Sequence, residues 1–187
     1  IPHRNHLMTR AICAIWPKKQ SAQPHSVREV ANALEEGGPN VVIITLQADG
    51  YAAELERTYF IKSVPPEARD PFDAMMEART LAFKLAKPGA PAASVDEEVL
   101  NVIKKRGYGD YILHRTGHGF GITGHEPPWV AMGSEAVLQK NMVISIEPGI
   151  YIPGLGGFRH SDTVLVTDDG CVSLTDWPDS LEALTLP

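Results

Sequence analysis

Cysteine is scarce. Cys13 and Cys171 are the only two in 187 residues and lie far apart in the chain. That pair reads as two reduced thiols in a cytosolic protein and not as a disulfide framework. Long hydrophobic runs are missing too; none is long enough to span a bilayer. No signal-peptide core opens the sequence. The expectation is a cytoplasmic protein with no membrane role. Basic charge is in deficit, with 17 Lys and Arg against 23 Asp and Glu, a net charge of -6. Nucleic-acid binding needs basic patches, so no nucleic-acid partner is expected. Internal repeats and low-complexity segments are absent. What remains is ordinary for a folded chain: 43% hydrophobic and 21% charged residues. The length suits one domain with a sizeable core, so residues 1–187 are read as a single domain.

One stretch, from His114 to Pro148, concentrates the chemistry. It opens with His114-Arg115-Thr116-Gly117-His118-Gly119 and passes through Gly124-His125-Glu126-Pro127-Pro128. It ends on the apolar strand Met142 to Ile146, followed by Glu147-Pro148-Gly149. His118 has a glycine on each side, which lets backbone approach a ligand closely. Glu147 stands at a strand end, held by the sheet while facing a cleft.

Around this stretch the pattern predicts strands and two main helices. Ile12 to Trp16 reads as a short strand, and Ser26 to about Glu36 as a helix ended by Gly37-Gly38. Val41 to Leu46 is a β-branched strand, Ala48-Asp49-Gly50 a turn, and Tyr51 to Ile61 the returning strand. Alternation puts Glu54 and Glu56 on one face of that strand. Two inward carboxylates are costly unless they bind a cation or share a proton. A helix is expected from Asp70-Pro71 to the stop at Lys87-Pro88-Gly89, with Met75 and Met76 as core filler. A second is expected from a Ser94/Glu97 capping box to Gly107. Gly154 to Gly157 reads as a loop, and Asp162 to Thr167 as a strand. Strand pair, helices, then further strands argue for an α+β fold with one curved antiparallel sheet covered by helices.

An ordered set of short motifs carries a resemblance. Lys87-Pro88-Gly89, Gly117-His118-Gly119, His125-Glu126-Pro127-Pro128, Ile146-Glu147-Pro148-Gly149-Ile150-Tyr151 and Gly157-Phe158-Arg159 through Asp162-Thr163-Val164 resemble the pita-bread family. That family contains methionine aminopeptidases, Xaa-Pro peptidases and creatinase. Any one motif is weak; the set in order is specific. The match runs from about Pro24 onward. It resembles the later part of such a domain, so the first part is expected to be lacking.

The resemblance implies a dinuclear metal site in the peptidases, built from two aspartates, a histidine and two glutamates. Those positions fall on Ile43, Glu54, His118, Glu147 and Ser161. A dinuclear site needs bridging carboxylates to offset repulsion between cations, and Ser161 is not one. No metal pair is therefore expected. If one divalent ion binds (Mn, Co or Zn), Glu54, His118 and Glu147 are the implied ligands. Leu55-Glu56-Arg57-Thr58 is similar to the creatinase strand, whose chemistry is metal-free. On that likeness Glu56 and Glu147 grip a cationic substrate group, and His25 transfers the proton. His118 steadies the tetrahedral intermediate, His125 lines the pocket, and Arg159 supports the acidic cluster by bidentate pairing. Ser161 stands where creatinase has a histidine, which argues against creatine itself. The resemblance thus implies a hydrolase cleaving a C–N bond in a small-molecule or dipeptide substrate, as a homodimer. The alternatives are a metal-dependent Xaa-Pro dipeptidase or aminopeptidase, and a non-catalytic peptide- or protein-binding module.

Overall fold

Val41, Val42, Ile43, Ile44 and Thr45 are all β-branched, and such a run favours extended backbone. In the computed structural model, which describes residues 8–24 and 33–187, they form the middle of β2 (Gly37–Ala48). Asp49 and Gly50 take φ of 50° and 84°, as a two-residue hairpin turn requires. β3 (Tyr51–Ile61) returns antiparallel, with Ala48 opposite Tyr51. β1 (Met8–Trp16) pairs with the other edge of β2.

Two helices follow, α1 (Pro66–Leu85) and α2 (Ala92–Lys105). The strands then come quickly: β4 (Gly117–Gly119), β5 (Glu126–Val130), β6 (Val143–Ile146), β7 (Gly149–Ile152), β8 (Gly156–Arg159) and β9 (Ser161–Val166). β10 (Cys171–Ser173) and β11 (Thr185–Leu186) close the described chain. The main sheet runs β1-β2-β3-β9-β6-β4-β5, with β10 beside β9 and β11 beside β3; β7 and β8 form a separate ribbon. All pairings are antiparallel except β11 with β3. This is the expected α+β architecture with a curved antiparallel sheet.

α1 presents Ala68, Ala74, Met75, Ala78 and Ala82, all fully buried. Small side chains let the helix lie close to its neighbours, and Met75 fills the remaining space. Phe60, Phe72, Ile103, Leu138, Ile144 and Phe158 join them in one core. Each large apolar side chain buried there contributes about 1.5–3 kcal/mol. Both cysteines are free thiols, and no helix among the described residues is long and apolar enough to cross a membrane.

Several expected boundaries move. α1 begins at Pro66, one turn before Asp70-Pro71, because Pro66 takes the first helical position and Pro71 falls inside the helix. α2 begins at Ala92 behind Pro91, so Ser94 is not its cap. Proline suits a helix start, where its missing N–H costs nothing. β2 begins at Gly37, where a helix end was expected. Most of that expected helix, Ser26 to Glu36, lies outside the described residues, and 33–36 are not helical. The expected loop at Gly154 to Gly157 is cut short by β8. There the Gly157 N–H donates to Ser21 Oγ at 2.7 Å, which ties the strand to the segment after β1.

Candidate active site

Glu54, His118 and Glu147 come from three strands, and backbone pairing brings them together. Glu54 is on β3, directly opposite Thr45 of β2. His118 is the centre of β4, and Glu147 follows the last residue of β6. β4 and β6 approach closely because residue 117 is glycine; a Cβ there would stand 2.1 Å from the Ser145 carbonyl oxygen. Two buried groups fix the alignment. Ser145 Oγ accepts from His118 N at 2.9 Å and donates to Glu147 Oε1 at 3.3 Å. Asp96 of α2 accepts from Thr116 N at 2.7 Å and Met132 N at 2.8 Å, while the Glu147 N–H donates to the Thr116 carbonyl at 2.8 Å. A helix residue thereby holds the approach to both His118 and Glu147.

One ligand atom from each of Glu54, His118 and Glu147 lies within 4.8 Å of the others, and all three residues are buried. His118 Nδ1 faces the Gly119 carbonyl at 3.1 Å, and Nε2 faces Glu147 Oε1 at 3.1 Å. Both neighbours only accept. A proton on each nitrogen satisfies them, as does a cation shared by Nε2 and the carboxylate. Burial pulls the His118 pKa down, but the hydrogen bond and charge of Glu147, the Gly119 carbonyl and the Glu54 charge outweigh it, so the pKa is raised. Burial and the Glu147 charge push the Glu54 carboxyl up to about 7, against smaller opposing effects of Ser161, Arg159 and His118. Burial acts upward on Glu147 too. There the His118 hydrogen bond and the charges of His114, His118 and Arg159 win, holding it at about 2. The two carboxyls thus divide roles: Glu147 stays ionised while Glu54 exchanges its proton near neutrality.

The donor set suits one divalent cation and not two. Two carboxylates and an imidazole are a normal ligand set for one ion. The other two positions at which the family resemblance places metal ligands carry no carboxylate. Ile43 lies on the same sheet face as its partner Glu56 and lines the cavity with a hydrocarbon chain. Ser161 is fully buried opposite Glu56, and its hydroxyl leans on Glu54 without completing a hydrogen bond of good geometry.

Glu56 requires a correction. Its side chain was expected to meet the substrate beside Glu147, yet it is fully buried and does not line the cavity. Arg159 faces it with Nε on one oxygen and Nη2 on the other. Burial pushes the Glu56 carboxyl up and Arg159 opposes that shift; Glu56 in turn holds Arg159 charged. A forked guanidinium on both carboxylate oxygens is the strong geometry of an ion pair. Arg159 therefore engages Glu56 within the acidic cluster. The carboxylates open to a ligand are Glu54 and Glu147. His125 stacks on His118, with ring centroids 3.9 Å apart, and lines the cavity. His25 lies outside the described residues.

The cavity has a volume of about 340 Å³, within the range of small-molecule sites. Trp16, Pro24, Ile43, Thr45, His114 and Arg115 line it as well, with Arg159. Of these, only Arg159 was assigned a site role from sequence. His114 was the most legible, four residues before His118; its Nε2 lies 2.6 Å from the Tyr151 hydroxyl. Ser145 was legible in principle, since it shares a strand face with Glu147 two residues on.

The Glu54 shift has a measurable consequence. Its folded-state pKa is above the ordinary 4.5. The associated stability is therefore fully present below pH 4.5 and is lost as pH rises through about 7, by roughly 3 kcal/mol at most. Thermal unfolding without divalent cations is expected to show a midpoint that falls between pH 5 and 8. Glu54→Gln should flatten that slope; an unchanged slope in the variant would contradict the assignment.

Comparison with known proteins adds the following. The model of metallopeptidase family M24 matches residues 4–168. An Xaa-Pro dipeptidase of Pyrococcus furiosus is 42% identical over 158 residues, covering 83% of this chain and 44% of its own length. A putative dipeptidase of Bacillus subtilis, YkvY, is 38% identical over 163 residues, covering 87% and 45%. Among solved structures, the prolidase from Pyrococcus horikoshii superposes with a TM-score of 0.81 at 38% identity, over 91% of this chain and 48% of that one. The chain thus spans less than half the length of the relatives it matches.

Proposed function

Since the chain belongs to metallopeptidase family M24, we propose that the protein is a hydrolase that cleaves a C–N bond in a small amino-acid-derived substrate without a dinuclear metal centre. The observation that carries this reading is the convergence of Glu54, His118 and Glu147, with Ile43 and Ser161 where further metal ligands would be needed. Residues 1–187 are taken as one pita-bread catalytic unit, working in the cytoplasm as a homodimer.

Water held between Glu54 and Glu147 attacks the amide or amidine carbon, and the unprotonated Glu54 carboxylate accepts its proton. A base whose pKa lies near the working pH combines the right protonation state with adequate driving force. Glu147, ionised throughout, keeps His118 protonated; with both N–H groups facing Gly119 and Glu147, the buried imidazolium acts on the substrate's developing negative charge only through its own charge. His125, stacked on His118, lines the substrate's path. In this reading His25 passes the proton to the leaving nitrogen. A single Mn, Co or Zn ion, held by Glu54, His118 and Glu147, would supply Lewis-acid polarisation of the scissile group.

A second reading, a metal-dependent Xaa-Pro dipeptidase, is favoured by the same three-donor set and by the names of the relatives at 38–42% identity. Amine release from Xaa-Pro dipeptides, other dipeptides and small amidines, with and without chelator, separates the two. Turnover that persists in chelator supports the first reading. Turnover confined to Xaa-Pro dipeptides and abolished by chelator supports the second. No turnover of any small C–N substrate overturns both.

A further inference from the structure

The cavity-facing side of the sheet changes character from strand to strand. On β1 and β2 it is hydrocarbon: Ala14 stands opposite Ile43 and Trp16 opposite Val41. These four side chains form an apolar cluster of their own, apart from the main core. On β3, next in the sheet, the same face carries Glu54 and Glu56. Arg159 takes Glu56, so Glu54 is the β3 carboxylate that meets the cavity, and Glu147 joins it there. Trp16 and Ile43 line that same cavity. Ile43 is paired with Glu56, which makes Glu54 its diagonal neighbour; residues in that relation stand about 7–8 Å apart. One small cavity therefore has hydrocarbon on one wall and carboxylates beside it.

Loss of a metal ligand does not by itself call for this wall. Any side chain without a carboxylate ends ligation at residue 43, whereas isoleucine also extends the Trp16 cluster to the cavity surface. Water against such a surface finds no hydrogen-bond partner there, and an apolar group gains affinity by displacing it. We infer that the β1–β2 wall is a ligand subsite and that the ligand is a small alkylated cation, its hydrocarbon arm against Ile43 and Trp16 and its cationic end at Glu54 and Glu147. This rests on the hydrolase reading and deepens it, naming the ligand class and making Ile43 a specificity-determining residue. The position at which the family resemblance places a ligand for a second ion becomes part of the arm's surface. A ligand with charge but no arm leaves the wall wet; one with the arm but no charge leaves the carboxylates without a counter-ion.

Binding tests this without needing turnover. Guanidinium and its methyl, ethyl, propyl and butyl derivatives are titrated by calorimetry in the absence of divalent cations, with butanol as the uncharged control. Affinity is expected to rise about fourfold for each added carbon that reaches the wall, and butanol is expected to bind far more weakly than butylguanidinium. Ile43→Thr keeps a β-branched side chain, which suits the strand, but replaces hydrocarbon with hydroxyl; its gain per carbon should fall to about twofold or less. A flat series in the wild type, an unchanged gain in Ile43→Thr, butanol binding as tightly as butylguanidinium, or no binding of any cation overturns the inference. If Ile43→Thr fails to fold by circular dichroism, Ile43→Val decides: it removes one carbon of the wall, and an affinity for butylguanidinium equal to that of the wild type overturns the inference. Amine release from the same compounds, followed separately, reports on the hydrolase reading.

Discussion

Glu147→Gln is expected to lower kcat/KM by about 10³-fold while leaving the fold intact. Glutamine has the same shape, so the Ser145 hydroxyl keeps an acceptor at the position it now uses, 3.3 Å away. The negative charge disappears, and it is the main influence that raises the His118 pKa against burial. His118 would then titrate lower and lose its protonated form near neutrality. A charged group of this kind contributes about 10²–10⁴-fold in catalysis, and here a positioned acid and its partner fail together. Kinetics on whichever small substrate is turned over gives the first readout. NMR titration of the His118 ring gives the second, with a downward shift expected. Activity within a few-fold of wild type would remove Glu147 from the reaction.

Asp162→Ala is expected to cost about 3–5 kcal/mol of stability, equivalent to a fall in Tm of order 10 °C for a chain of this size. Asp162 is fully buried between two arginines: Arg57 Nη2 at 2.7 Å on Oδ1, and Arg79 Nη2 at 2.7 Å on Oδ2. Thr175 Oγ1 adds a hydrogen bond at 2.8 Å. Removing the carboxylate leaves two guanidiniums with little exposure and no full partner. Arg57 keeps carbonyl acceptors at Glu56, Ser161 and Pro178, and Arg79 keeps Asp179, so the loss is bounded. Chemical denaturation measures it. The network lies directly behind the site, since Arg57 holds the backbone of both Glu56 and Ser161, and His160 packs beside it against Phe72 as an uncharged aromatic ring. A loss below about 1 kcal/mol, the range of an exposed ion pair, would show that the Arg57–Asp162–Arg79 cluster does not hold the sheet.

The three groups that converge in the cavity wall were legible because each has a local sequence signal. His118 between two glycines, Glu147 at a strand end and Glu54 on an alternating strand are local signals, and pairing of β3, β9, β6 and β4 does the rest. What escaped depends on partners far apart in the chain. Pairing of Arg159 with the acidic cluster was expected, but that it takes Glu56, across 103 residues, and so removes that carboxylate from the cavity, is not in any strand pattern. Asp96 looked like one more polar helix residue, yet it is buried and aligns the backbone before His118. The helix starts were misplaced for a simpler reason: polar capping residues were available at Asp70 and Ser94, but Pro66 and the Pro91-Ala92 step begin the helices earlier.

Counting ions per chain decides whether the site holds one metal or two. The purified protein would be equilibrated with Mn²⁺, Co²⁺ or Zn²⁺, its bound metal measured by elemental analysis, and turnover followed at each increment. No more than one equivalent is expected, lost in His118→Ala, with no gain in turnover beyond it; the Glu54, His118 and Glu147 donors suffice for one ion. Two equivalents per chain, with turnover rising as the second is taken up, would contradict it.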